Sequence, residues 1–188
     1  MADRLATLAE IETAVWAELE LAARSKAHEW RTPVLATVDG DAADARTVVL
    51  REVDAQQNRL TVFTDQRAGK VAQLLSHPRA CFVMWSPTLG WQLRCRVVLT
   101  LQTTGLAGFW ERIKLTPSAQ DYLAALSPGA PLNASSQAAP GPGEPTPAQS
   151  PCFAVVNAQV QSIDWLELHR DGHRRAVFGD GTARWVQP

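Results

Sequence analysis

Near the N-terminus, the hydrophobic residues recur at every third or fourth position. Leu8, Ile11, Val15 and Leu19 follow this spacing, which is typical of a helix with one buried face. Glutamates occupy the opposite face of the same segment. The pattern predicts an amphipathic helix over about residues 3–27.

After Pro33 the pattern changes to short β-rich runs that are separated by turn residues. The first run, 34–38, is closed by Asp39-Gly40. Further strands are predicted over 46–53, 59–64 and 80–85. A short helix is predicted over 68–76, where His77-Pro78 ends it.

The longest predicted strand covers residues 91–104. Alternate side chains of a strand point to opposite faces, so its sequence divides into two sets. The apolar set is Trp91, Leu93, Cys95, Val97, Leu99 and Leu101, and the polar set is Gln92, Arg94 and Arg96. The strand therefore has a core face and a cationic face.

The last third of the chain combines helical, loop and strand patterns. Residues 105–125 return to helical spacing, and 127–151 are rich in Pro, Gly, Ala and Ser, which predicts a loop. Three final strands are predicted over 152–156, 159–169 and 173–178, with Asp171-Gly172 as a hairpin turn. Many short strands with flanking helices indicate an α+β protein built on an antiparallel barrel or sandwich, in one domain over 1–188.

Composition narrows the classes of function. The formal net charge is −1, so no general cationic field would attract nucleic acid or an anionic membrane. The three cysteines are dispersed without a CxxC motif, which argues against a zinc site and for reduced thiols. Charged residues interrupt the N-terminal apolar runs, which argues against a signal peptide or a membrane span. Neither GxGxxG nor GxxxxGK[ST] follows a strand, which argues against a Rossmann or P-loop protein. We expect a cytoplasmic protein without a nucleic acid or membrane partner.

Two basic motifs are candidates for an anion site. The run Arg46-Thr47-Val48-Val49-Leu50-Arg51 has a guanidinium at each end, and in one strand a spacing of five sends the two to opposite faces. The run 63–70 leads from a strand into a helix whose first turn contains Lys70. A cation there opposes the helix dipole unless an anion is bound. A solvated turn with surface charges is the alternative reading.

Taken together and in order, these motifs resemble the FMN-binding core of the pyridoxamine 5′-phosphate oxidase-like family. The resemblance covers roughly residues 30–104. The matching elements are residues 35–39, 46–51, Phe63-Thr64-Asp65 with Arg67 and Lys70, His77-Pro78-Arg79-Ala80, and Trp85 followed by Gln92-Leu93-Arg94.

The resemblance implies an antiparallel split β-barrel and a homodimer that builds the cofactor site between two subunits. In that family's arrangement Arg46 and Lys70 would hold the FMN phosphate, and Gln92 would hydrogen-bond the cofactor across the dimer interface. The candidate cofactor-binding residues are Arg46, Thr47, Val48, Val49, Leu50, Arg51, Phe63, Thr64, Arg67, Lys70, Gln92 and Arg94. No catalytic residue and no metal site is assigned.

Departures from the family pattern affect the expected reaction. Arg51 stands where the true oxidases carry a substrate lysine, and Trp110, Lys114 and Ser118 match their Tyr-x3-Arg-x3-Ser clamp only in part. The first hypothesis is therefore an FMN-dependent oxidoreductase of unknown substrate. The alternatives are a flavin-binding carrier or sensor without turnover, a haem or deazaflavin protein with His169 and His173 as candidate ligands, and vitamin B6 oxidation itself.

Overall fold

The computed structural model describes residues 4–132 and 151–188. The described residues form four α-helices, two short 3-10 turns and nine strands. The helices are α1 Leu8–Arg24, α2 Gly69–Ser76, α3 Ala107–Ile113 and α4 Gln120–Leu123, and the 3-10 turns are Glu29–Arg31 and Pro117–Ala119. The strands are β1 Val34–Asp39, β2 Ala42–Thr47, β3 Leu50–Asp54, β4 Arg59–Asp65, β5 Arg79–Ser86, β6 Trp91–Gln102, β7 Phe153–Glu167, β8 Arg174–Gly179 and β9 Thr182–Val186.

Helix α1 is shorter than the predicted segment 3–27 because a capping box fixes its start. Thr7 Oγ1 accepts a hydrogen bond from the Glu10 N–H at 3.2 Å, and the Glu10 carboxylate accepts one from the Thr7 N–H at 2.9 Å. This reciprocal pair satisfies N–H groups that would otherwise have no partner. At the other end Ser25 has extended backbone, so the helix ends at Arg24.

Seven of the nine described strands form one hydrogen-bonded path in the order β2-β1-β5-β6-β7-β4-β3, while β8 pairs with β7 and β9 pairs with β8. Every paired neighbour is antiparallel. Strands β2 and β3 are the two ends of this path, yet only Val48 and Val49 separate them in the chain. The distance from Thr47 to Leu50 is at most about 11 Å. The two ends of the path therefore meet at this link, and the antiparallel sheet with its flanking helices confirms the predicted split-barrel fold.

The prediction of one strand over 46–53 was wrong, because the chain changes pairing partner in the middle of it. The Val48 N–H donates to the Pro33 carbonyl at 3.0 Å and so continues the pairing of β2 with β1. Leu50 then pairs with Val62 of β4. A single straight strand would not reach both β1 and β4.

The C-terminal prediction was partly wrong. The predicted strands 152–156 and 159–169 are one continuous strand, β7, which pairs with β6 along its length around a bulge opposite Arg96 and Val97. Strand β9 was not predicted. The Asp171-Gly172 hairpin is confirmed between β7 and β8, and Gly172 has a positive φ of 104°. Of the predicted loop 127–151, residues 133–150 lie outside the described residues.

Two hydrophobic clusters hold these elements together. The main core fills the barrel and includes the buried residues of α1, with Ile11, Val15 and Leu19 as predicted. A smaller cluster lies between α3, α4 and the strands β4 and β7, around Tyr122 and Phe153. Among the described residues, no helix is both long and apolar enough to cross a membrane.

Substitution of Leu50 tests how much the buried position next to the β2–β3 link contributes to the stability of the fold. Its side chain is fully buried directly after the β2–β3 link, so Leu50→Ala should leave a cavity and lower the free energy of unfolding by about 2–5 kcal/mol. Leu75→Ala is the control, since the Leu75 side chain on α2 is largely exposed, and it should change stability by less than about 0.5 kcal/mol. Urea unfolding curves measure both. Equal effects of the two substitutions would contradict this assignment.

Candidate functional site

The Arg46 guanidinium is the centre of a hydrogen-bonded network on the inner face of β1 and β2. It donates from Nη1 to Thr37 Oγ1 at 2.5 Å and from Nη2 to Gln73 Oε1 at 2.9 Å, and it forms an ion pair with Asp44. Gln73 lies on α2 and also donates from Nε2 to the Asp44 carboxylate at 2.8 Å. The network thus connects the edge of the sheet to α2 and fixes the position of Arg46.

Lys70 supplies a second cation beside this network. It lies in the first turn of α2, and its ammonium group donates to Thr64 Oγ1 at 3.1 Å. Burial lowers the pKa of Lys70, the nearby Arg46 charge lowers it further, and Asp65 acts in the opposite direction. Within the described ranges Lys70 forms no ion pair. Two neighbouring cations of which one lacks a counter-ion are suited to binding an anion.

The start of α2 adds backbone donors at the same place. Ala68, the N-cap residue, has no side chain that accepts a hydrogen bond from the first turn. The Val71 N–H donates to the Ala68 carbonyl at 2.8 Å, so the N–H groups of Gly69 and Lys70 are the ones that need another acceptor, and the helix dipole favours a negative one. Together with Arg46 and Lys70, this end of the helix fits a phosphate group. We call Arg46, Lys70 and the start of α2 the anion site.

The segment Thr47–Leu50 follows Arg46 in the chain, and Thr47 is its exposed polar residue. Val48 and Val49 are half-buried, and Leu50 is fully buried in the core. The Leu50 carbonyl accepts a hydrogen bond from Arg31 Nη1 at 2.6 Å. Val48 and Val49 are therefore the members of this segment that are available to an apolar ligand surface.

Arg51 is separated from the anion site. It lies at an irregularity in the β3–β4 register, and its guanidinium sits 5.4 Å from the centre of the Phe63 ring. It also lies beside Tyr122, where burial raises the pKa of the phenol and Arg51 acts in the opposite direction. Arg46 and Arg51 belong to different strands because of the break at Val48-Val49 and not because of alternation along one strand, and their service of two different sites stays a prediction.

Arg67 has a structural environment that the sequence did not indicate. Its guanidinium pairs with Asp65 through Nε at 3.0 Å and Nη2 at 2.7 Å. It also donates to the carbonyls of Ala124, Ala125 and Leu126. Because these acceptors hold all of its nitrogens, Arg67 fastens the end of α4 to β4 and is not directed at the anion site.

Gln92 and Arg94 lie on the outer face of the sheet, on the side opposite to the core and to Arg46. Arg94 forms an ion pair with Asp164 of β7, which also accepts from Arg175 Nε at 2.9 Å. The Nε atom of Arg94 is buried without a hydrogen-bond partner. One chain therefore does not bring these two residues to the anion site.

A groove of about 670 Å³ runs along this outer face. Its lining includes Ala36, Cys81, Arg94, Arg96 and Asp164. Burial raises the pKa of the Cys81 thiol, although Arg94 and Arg96 act against this effect. Cys81 therefore remains a protonated thiol at neutral pH.

The sequence interpretation missed three residues that surround Arg46. Asp44 could have been found from the sequence, because it is two positions before Arg46 in one strand and so shares its face. Thr37 and Gln73 come from β1 and α2, and no spacing rule connects them to Arg46. Asp164, which holds Arg94 and Arg175, was also missed.

The two histidines proposed as alternative ligands lie at the β7–β8 turn. His169 Nδ1 accepts the Asp171 N–H at 3.1 Å, and His173 Nδ1 accepts the His169 N–H at 3.1 Å. Both rings thus stabilise the turn. In residues 4–132 and 151–188 no group of three His, Cys, Asp or Glu side chains is arranged to hold a metal ion.

Comparison with known proteins agrees with this architecture. The family model described as the pyridoxamine 5′-phosphate oxidase FMN-binding domain matches residues 13–102, from α1 to the end of β6. A search of curated protein sequences found no significant match. The match contains Arg46, Lys70 and Gln92, and it confirms the predicted family resemblance.

Solved structures also resemble the chain over nearly its whole length. A pyridoxamine 5′-phosphate oxidase-related, FMN-binding protein from Nostoc punctiforme is 25% identical and has a TM-score of 0.71, with 93% of this chain and 96% of that chain covered. PhzG from Burkholderia lata, in complex with tetrahydrophenazine-1-carboxylic acid, is 16% identical with a TM-score of 0.72 and coverages of 96% and 92%. At that identity, PhzG shows the shared fold alone.

The ion pairs of Asp164 with Arg94 and Arg175 on the outer face predict that the stability of the fold depends on pH. Burial raises the pKa of Asp164, but hydrogen bonds from Arg175 and Arg94 outweigh it, so the pKa is below its ordinary value. A lowered carboxylate pKa stabilises the fold above its unfolded value of about 3.9, and this contribution is lost as pH falls through the folded pKa. We expect Asp164→Asn to lower the urea midpoint at pH 7 and to have a smaller effect at pH 3, below the unfolded pKa.

Asp39→Asn is the control for this series, because Asp39 is exposed and forms no ion pair in the described part of the chain. It should leave the urea midpoint nearly unchanged at both pH values. An Asp164→Asn effect that is as large at pH 3 as at pH 7 would show that the charge of Asp164 is not what stabilises the fold.

Proposed function

From the match of residues 13–102 to the FMN-binding domain of pyridoxamine 5′-phosphate oxidases, we propose that this chain is an FMN-dependent oxidoreductase. The observation that carries the proposal is the anion site, in which Arg46 and Lys70 lie together at a helix start that has no side-chain cap. These two cations and the N–H groups of α2 would hold the FMN phosphate. Val48 and Val49 would lie against the apolar part of the cofactor.

Bound FMN would supply the electron transfer, while the protein binds it, orients it and excludes water. The two cations of the anion site are suited to binding the phosphate. A bound phosphate would stabilise the charged form of Lys70, because the negative charge of the phosphate offsets both the partial burial of the ammonium group and its repulsion by Arg46. Arg46 is already held in position, so little side-chain freedom is lost on binding.

We also propose that two copies of the chain form the complete site. Gln92 and Arg94 are cofactor residues by resemblance, yet they lie on the outer face, so they would serve the site of a second subunit. The same face presents exposed apolar side chains at Val34, Val38 and Trp85. Apolar residues with arginines among them are the usual composition of a subunit interface.

A flavin-binding carrier or sensor is the second candidate. It is favoured by the absence, in the described residues around the anion site, of a carboxylic acid or thiolate ready to exchange a proton. Asp44 is engaged by Arg46 and Gln73, and Asp65 is engaged by Arg67. Anaerobic mixing with candidate substrates separates the two functions, because only an oxidoreductase bleaches its flavin band and recovers it in air.

The phosphate assignment predicts the behaviour of Arg46→Ala. Loss of a charge-assisted hydrogen bond should weaken FMN binding by about 1.5–3 kcal/mol, measured by quenching of flavin fluorescence. Riboflavin lacks the phosphate, so its affinity should change much less. Arg170→Ala removes an exposed arginine at the β7–β8 turn and is the control. Unchanged FMN affinity in Arg46→Ala would refute the assignment.

The two-subunit site predicts that the oligomeric state and FMN binding change together. Trp85→Glu places a charge on the exposed apolar part of the outer face, so it should produce monomers with strongly reduced FMN affinity. Leu115→Glu is the matched control, because Leu115 is exposed outside this face. Size-exclusion chromatography with light scattering measures the mass. A wild-type protein that is monomeric and still binds FMN would contradict the proposal.

A further inference from the structure

Asp44 is the most exposed residue among the hydrogen-bond partners of the Arg46 guanidinium. Both residues are on β2 and two positions apart, so their side chains share one face, and the carboxylate pairs with Nη2 of the guanidinium. The Asp44 side chain is 45% exposed, whereas that of Arg46 is 20% exposed. The carboxylate therefore stands between Arg46 and solvent.

Arg46 has hydrogen-bond partners other than Asp44. Three neutral acceptors also hold the guanidinium: Thr37 Oγ1 at 2.5 Å, Gln73 Oε1 at 2.9 Å and the Leu35 carbonyl at 3.3 Å. Two of these belong to strand β1 and one to α2, so they fix the guanidinium from both sides. Removal of the carboxylate should leave Arg46 in place with one side open.

The charges at the site make Asp44 unfavourable to a bound phosphate. The hydrogen bond from Gln73 lowers the pKa of Asp44, burial opposes this, and the Arg46 charge lowers it further, so Asp44 is ionised at neutral pH. Its charge neutralises part of the Arg46 field and would repel a phosphate dianion. Lys70, the other cation of the site, has no such counter-ion among the described residues.

We propose that Asp44 is an internal competitor of the ligand phosphate for Arg46. The inference rests on the proposed FMN function and adds a regulating residue to the same site. With no ligand present, Asp44 satisfies the guanidinium. When a phosphate binds, the carboxylate gives up Nη2 and turns toward solvent, which its exposure permits. The competition lowers the affinity for phosphorylated flavin and makes the cofactor exchangeable.

The test compares Asp44→Asn with the wild-type chain in titrations with FMN and with riboflavin. Asparagine keeps the size of the side chain and an oxygen that accepts from Gln73, but it removes the negative charge. We expect FMN to bind about three- to tenfold more tightly to Asp44→Asn, with riboflavin affinity unchanged.

Asp41→Asn is the matched control. Asp41 is in the same hairpin and carries the same charge, but it forms no ion pair in the described residues, so it should bind FMN like the wild type. Asp44→Ala keeps the experiment informative if asparagine disturbs the network, because it should also increase FMN affinity. Thermal unfolding checks that each variant is folded.

The outcomes separate this inference from the proposed function. If the wild type binds FMN and both Asp44 variants bind it equally well or more weakly, Asp44 positions Arg46 and the competitor role is wrong. If Asp41→Asn tightens FMN binding as much as Asp44→Asn does, only the net charge matters and the inference is likewise wrong. If neither the wild type nor any variant binds FMN, the proposed function fails and this inference fails with it.

Discussion

The link of two residues between β2 and β3 determines how the strands on either side of it are paired. These strands are the two ends of the hydrogen-bonded path, and Val48 and Val49 join them. Because the chain changes partner here, Arg46 stays with β1 while Leu50 enters the core beside β4. The barrel closure therefore decides which groups face the anion site and which face the interior.

The same closure explains why two cations lie together at the anion site. It brings β2 and β1 next to α2, so that Arg46, Gln73 and Lys70 meet although they come from two separate segments. A partly buried lysine beside an arginine is an unfavourable arrangement in an empty site, and it becomes favourable when an anion is bound. Asp44 reduces this cost on the Arg46 side, which is the physical basis of a competitor built into the site.

The sequence predicted the features that depend on local periodicity. The stripe of α1 and the two faces of β6 follow from spacing alone, and the Asp171-Gly172 turn follows from its residue types. It did not predict the strand change at Val48, because nothing in a run of valines signals a new partner. It also missed the acceptors of Arg67, which are backbone carbonyls on a distant segment and have no sequence signature.

Phosphorus NMR of FMN titrated with the 188-residue chain tests the proposal that Arg46, Lys70 and the start of α2 hold the FMN phosphate. We expect the phosphate resonance to shift on binding and the bound phosphate to stay dianionic below its ordinary second pKa of about 6, since two cations lie beside it. A bound flavin whose phosphate resonance has the position and pH titration of free FMN would show that the anion site does not hold the phosphate.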